Sequence, residues 1–161
     1  MKLIHGILNT QEVSYSSNLN KDRLKEKFDN LFEQKALIFK GKFTNNNEFV
    51  AYDKLNVIGW NMPNLRRKSA YLKGEITQKE NRTLVKLVVK PNSLLPIFAI
   101  LAILGGSIIT ILTLSNTEND KFFSVFGLVL IGLGVIYYPV SSLLRNRLRN
   151  KIVEYLDLKK V

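Results

Sequence analysis

The spacing of apolar residues changes along this chain, and each change marks a different element. Between residues 20 and 35, Leu24, Phe28, Leu31 and Phe32 recur at helical spacing and share one face. Asn20 stands where an N-cap is needed, and Asp22 and Glu26 suit the positive end of the helix dipole. From residue 36 to residue 90 the period drops to two. Leu37, Phe39 and Phe43 alternate with Ile38, Lys40 and Lys42, and Phe49 and Ala51 alternate with Val50 and Tyr52. Ala70, Leu72 and Ile76 alternate with Tyr71, Lys73 and Glu75, and Val85, Leu87 and Val89 alternate with Leu84, Lys86, Val88 and Lys90. Strands are expected over 36–44, 48–58, 69–77 and 82–90, with a short one over 12–16. Asn45-Asn46-Asn47 and residues 78–81 supply turns. Such alternation describes an antiparallel sheet with one buried and one wet face. One amphipathic helix laid on the buried face makes a small α+β domain. Asp53, beside Lys54, is expected on the solvated face.

After Ser93 the pattern loses any period. Residues 94–114 and 122–144 hold no charged side chain over 21 and 23 positions. A helix of roughly 20 apolar residues crosses a bilayer core, and both stretches reach that length. The competing explanation is a pair of buried core helices in a soluble protein, but such helices usually carry shorter uncharged runs. The link over 115–121 is short and polar, so the two stretches should form an antiparallel hairpin. Pro96 sits in the first turn of the first stretch, where a missing N–H costs little. Pro139 lies near the end of the second, where a kink is expected. Beyond it, Leu144, Leu148, Ile152, Tyr155 and Leu156 keep helical spacing, so the helix should continue past the hairpin. Its apolar stripe would pack on the sheet or on another copy.

The expected fold class is thus an α+β membrane protein. Residues 1–93 form a cytoplasmic antiparallel-sheet domain with one amphipathic helix. Residues 94–144 form a transmembrane hairpin with the 115–121 loop outside, and residues 145–161 form a cytoplasmic basic helical tail.

Composition narrows the chemistry. The 161 residues include no Cys and one His, His5. Disulfides, Cys-ligated zinc and thiol nucleophiles are excluded, and a multi-His metal site or a His-based triad within one chain is implausible. The mean hydropathy of +0.01 averages two unlike parts. The net charge of +11 is also unevenly placed: residues 1–93 carry +8, residues 94–121 carry −1, and residues 122–161 carry +4. Lys/Arg excess marks the cytoplasmic side of a membrane, so both termini should be cytoplasmic, at the plasma membrane or a bacterial inner membrane. The N-terminal apolar run is short and interrupted by His5, unlike a secretory signal.

Two groups of residues stand out as candidate sites. Ala99, Gly106 and Thr113 in the first stretch, and Gly127, Gly134 and Ser141 in the second, recur every seven residues, with Ala102 beside them. Small side chains let such helices approach closely, either within one hairpin or between copies. The second group is basic: Arg66, Arg67 and Lys68 in a loop with Trp60, and Arg145, Arg147, Arg149 and Lys151 after the second stretch. These are candidates for anionic lipid head groups or a protein partner. Membrane orientation already accounts for the charge and no recognition motif for nucleic acid occurs, so no nucleic acid is expected. No phosphate-binding loop or nucleophile elbow occurs, and neither catalytic residues nor a metal or cofactor is expected. The sequon Asn81-Arg82-Thr83 falls on the expected cytoplasmic face and should be silent. The leading expectation is a non-enzymatic accessory or scaffold subunit that binds a partner or the inner leaflet while its hairpin anchors or oligomerises. The alternative is a membrane-perturbing or pore-forming effector gated by the cytoplasmic domain.

Overall fold

Alternation becomes a six-stranded antiparallel sheet in the computed structural model, which describes residues 6–34, 37–56, 68–79, 82–115 and 121–161. Its strands are β1 (Gln11–Ser17), β2 (Phe39–Phe43), β3 (Glu48–Asp53), β4 (Ala70–Lys79), β5 (Arg82–Pro91) and β6 (Lys159–Lys160). They lie in the order β2-β3-β4-β5-β1-β6. The longest arms, β4 and β5, pair from Ala70 opposite Pro91 to Lys79 opposite Arg82. Phe49, Ala51, Leu72, Ile76, Val85, Leu87 and Val89 are all buried on one face, as the period of two requires. Two strand glycines serve that face. A Cβ on Gly41 would enter the ring of Phe32, and one on Gly74 the ring of Phe49. Glycine at these positions leaves the room those rings occupy against the strands.

Helix α1 (Lys21–Glu33) lies on this face through Leu24, Phe28 and Leu31. Asn20 caps it, its side-chain oxygen accepting the Arg23 N–H at 2.9 Å. Phe28 meets Phe49 with ring centroids 4.1 Å apart. One helix cannot cover the sheet, however. Five strands at about 4.8 Å spacing span about 20 Å, twice the roughly 10 Å width of a helix. The other half is covered from the opposite end of the chain. Helix α3 (Lys121–Leu156) brings Leu148, Ile152 and Leu156 into the same core, all at most 1 % exposed. The chain then turns at Asp157, whose φ of 52° is a left-handed conformation that Asp tolerates. It buries Leu158 and ends as β6 on the free edge of β1. The helical extension therefore completes the sheet domain's core.

Helix α2 (Leu94–Ser115) pairs with the first part of α3 as a hairpin. Both helices are long and apolar enough to cross a membrane. α3 runs through Pro139 as one continuous helix.

Three local expectations change. β2 begins at Phe39 rather than residue 36, and β3 ends at Asp53 rather than residue 58. Asp53 is not on the solvated face: it follows Phe49 and Ala51 by the same period of two and is 1 % exposed. Its Oδ1 accepts the Leu55 N–H at 2.9 Å as the chain leaves the strand, while its Oδ2 has no hydrogen-bond partner among the described residues.

Candidate functional site at the hairpin end of the sheet

The hairpin is held by a seam of small residues. A Cβ on Gly106 would lie 2.6 Å from the Gly127 carbonyl oxygen, and one on Gly134 would lie 2.6 Å from the Ala99 carbonyl oxygen. Backbones that close leave no room for a side chain. Ala99 and Ala102 are buried beside them. Farther along, Thr113 accepts a hydrogen bond from Ser124 of the facing helix at 2.9 Å. Thr110, which the heptad spacing passes over, packs its hydroxyl against Gly127. Gly105 and Gly132 lie off the seam, with open space where a Cβ would be. Ser141 belongs to a different contact: its hydroxyl donates to the Tyr138 carbonyl at 2.7 Å and accepts from Asn9 Nδ2 at 3.0 Å.

That contact belongs to one of two hydrogen-bonded ties between hairpin and sheet among the described residues. At the first, Arg145 Nη1 donates to the Asn9 carbonyl at 2.7 Å and to Asn9 Oδ1 at 2.6 Å, while Nη2 donates to Ser142 Oγ at 3.2 Å. Tyr138 OH donates to the Gly6 carbonyl at 3.2 Å, and Arg149 reaches Gln11. Burial first, and the like charge of Arg149 second, pull the Arg145 pKa down from its ordinary value. The forked guanidinium needs oxygen acceptors at such a place, and Asn9 presents two. At the second tie, Asn92 is buried at the root of α2. Its Nδ2 donates to the Lys68 carbonyl at 3.0 Å, its N–H to the Ser69 carbonyl at 2.8 Å, and its Oδ1 accepts the Leu94 N–H at 3.1 Å.

The candidate basic residues separate accordingly. Arg145 and Arg149 hold the N-terminal segment, and Lys151 forms an ion pair with Glu154 at 2.9 Å that raises the lysine pKa. Arg147 is exposed. Lys68, distant along the chain from the apolar stretches, sits in space at the root of α2. Arg66 and Arg67 lie outside the described residues, as do Trp60, His5, Asn81 and residues 116–120.

The outer face of the sheet is not covered by any described element. Its last row at the hairpin end reads Lys40, Tyr52, Tyr71, Lys90 across β2, β3, β4 and β5. A cavity of about 220 Å³ opens beside it, lined by Tyr71, Lys90, Pro91, Asn92 and Ser93. Sequence alternation placed these side chains on the wet face but could not bring them to the root of a helix. Among the described residues, no three of His, Asp and Glu come together as metal ligands. No family model, curated protein or solved structure matches the chain.

Proposed function

We propose that the chain is a membrane-anchored accessory or scaffold subunit. In this reading the α2–α3 hairpin crosses the bilayer, both termini are cytoplasmic, and the sheet domain binds a partner protein or the inner leaflet without catalysing a reaction. The observation that carries it is where the apolar side chains point. In α2, Leu101, Leu104, Ile108, Ile111 and Leu112 are each more than half exposed, as are Leu128, Val135 and Ile136 in α3. Only 17 % and 11 % of the apolar windows of the two helices are buried. Core helices of a soluble protein would be covered, and a water-soluble monomer rarely presents so large a continuous apolar surface. The length agrees: 22 residues of α2 rise about 33 Å, against a hydrocarbon core of about 30 Å. The positive residues gather at the sheet end of the hairpin, which favours a cytoplasmic sheet.

Alkaline carbonate extraction of membranes carrying the full chain tests the anchor, and retention in the pellet is expected. Reporter fusions at the two termini test orientation, and a signal from the outside at either end sinks it. A mild-detergent pull-down tests the scaffold role: a lone monomer with no companion counts against it. Dye release from liposomes tests the pore-forming alternative, and no leakage is expected.

A further inference from the structure

We infer that the hairpin-end row of the outer sheet face, together with Lys68, is a docking ledge for the phosphate of an anionic membrane lipid. The inference rests on the hairpin reading above and adds the place and chemistry of the lipid contact. Register sets the row: Lys40 opposite Tyr52, Tyr52 opposite Tyr71, and Tyr71 opposite Lys90. All four side chains share one face by the period of two. Lys90 stands only four positions before Leu94, where the apolar helix begins, so it lies at headgroup height. Lys and Tyr are the side chains that bridge the interface, each with an apolar body and a polar tip.

Geometry prepares the ledge for an oxyanion. Lys68 Nζ is held 5.7 Å from the centre of the Tyr52 ring and donates to Asn56 Oδ1 at 3.0 Å, so the ammonium is positioned. The Tyr71 hydroxyl accepts the Lys68 N–H at 3.2 Å, which leaves its own proton free to donate. The cavity beside Tyr71 and Lys90, about 220 Å³, has the room for a phosphate group. No acidic residue belongs to this row. Glu12, Glu48 and Glu75 lie at least one row farther from the hairpin, and the first two pair with Lys86 and Lys73. Leu55 adds an apolar side chain, 47 % exposed, at the same end. The other basic cluster is less suited, because Arg145, Arg149 and Lys151 already hold Asn9, Gln11 and Glu154.

The full chain in neutral detergent, given equimolar phosphatidylglycerol and phosphatidylcholine, tests the ledge by native mass spectrometry. Wild type should retain the anionic lipid preferentially. Lys68→Gln and Lys90→Gln should each lower that retention about five-fold, the effect of about one basic residue near an anionic surface. Lys73→Gln, on the same face but paired with Glu48, should change it less than about two-fold. Equal retention of both lipids by wild type, or equal losses in all three variants, overturns the ledge. An excess of inorganic phosphate separates the sources. Lipid retention should survive it; displacement by phosphate alone marks a site for a soluble phosphate and overturns the lipid assignment. Carbonate extraction of wild type runs alongside. Protein released to the supernatant overturns both the hairpin reading and the ledge. Protein kept in the pellet, with unchanged lipid retention in the Lys68 and Lys90 variants, overturns the ledge alone.

Discussion

The two parts of α3 have similar apolar side chains and opposite surroundings. Before Leu144 the large ones face outward: Leu128 and Val135 are both 58 % exposed and Ile136 is 60 % exposed. After Arg145, Leu148, Ile152 and Leu156 face inward, buried against the sheet, and of the large ones Tyr155 stays partly exposed. What differs is the neighbour. α2 offers a narrow seam in which glycines face the partner backbone and Ile103 and Ile131, and most of each helix's girth stays uncovered. The sheet offers a broad apolar face that takes large aliphatic side chains. Apolar content alone therefore does not say how much of a helix is covered; the width of the surface it packs on does.

The strongest way to break this comparison is to truncate matched residues in the two parts. Ile152→Ala should destabilise the detergent-solubilised protein by about 2–5 kcal/mol, from transfer and cavity terms together. Ile136→Ala should stay within about 0.5 kcal/mol. Denaturant midpoints measure both, and equal losses would show that the two parts are not differently packed. Next in size is the seam. Gly106→Leu or Gly134→Leu should cost about 1–3 kcal/mol and open the hairpin, whereas Gly105→Leu should leave the thermal midpoint unchanged because nothing stands where its side chain would go.

The joint between the two parts should matter less. Arg145→Ala removes the guanidinium that holds Asn9 and should cost about 1.5 kcal/mol. Arg145→Lys should not restore it, because an ammonium cannot reproduce the forked contact, and hydrogen exchange at the start of β1 should rise in both variants. The smallest effect belongs to the outer sheet face. The hydrogen bond that Lys86 donates to Glu12, then the charge of Glu12, raises the Lys86 pKa above the ordinary 10.5. A raised lysine stabilises the fold below the unfolded-state pKa and loses that contribution as pH climbs through the folded-state value. Wild type should therefore exceed Glu12→Gln slightly in urea midpoint at about pH 8, and the gap should close above about pH 11.

Much of the sheet domain could be read from local pattern. The N-cap at Asn20, the helix face of Leu24, Phe28 and Leu31, and the inward set of each strand follow from periods of 3.6 and 2. The candidate site was legible only by residue type. Lys68 stands out as the end of the basic run Arg66-Arg67-Lys68, but Lys90, 22 positions on, has no sequence neighbour that marks it, and nothing local pairs the two. At Asp53 polarity points to the solvated face and the alternation points inward, and the alternation prevails. The roles of Asn9, Gln11 and Asn92 left no pattern, since a side-chain amide that ties two elements looks like any loop amide until both partners are in place.

The chain's sequence by itself determined a mixed α+β composition of elements and two helices long and apolar enough to cross a membrane, because both depend on local periodicity and length. Tertiary structure alone decided what those elements meet. It sent the end of α3 under the sheet and added β6 to the edge of β1. It also set Lys68 at the root of α2 and turned Arg145 toward Asn9. Each of these joins residues far apart in the chain, and such contacts are chosen by the surface a sheet or helix leaves uncovered, which no local repeat encodes.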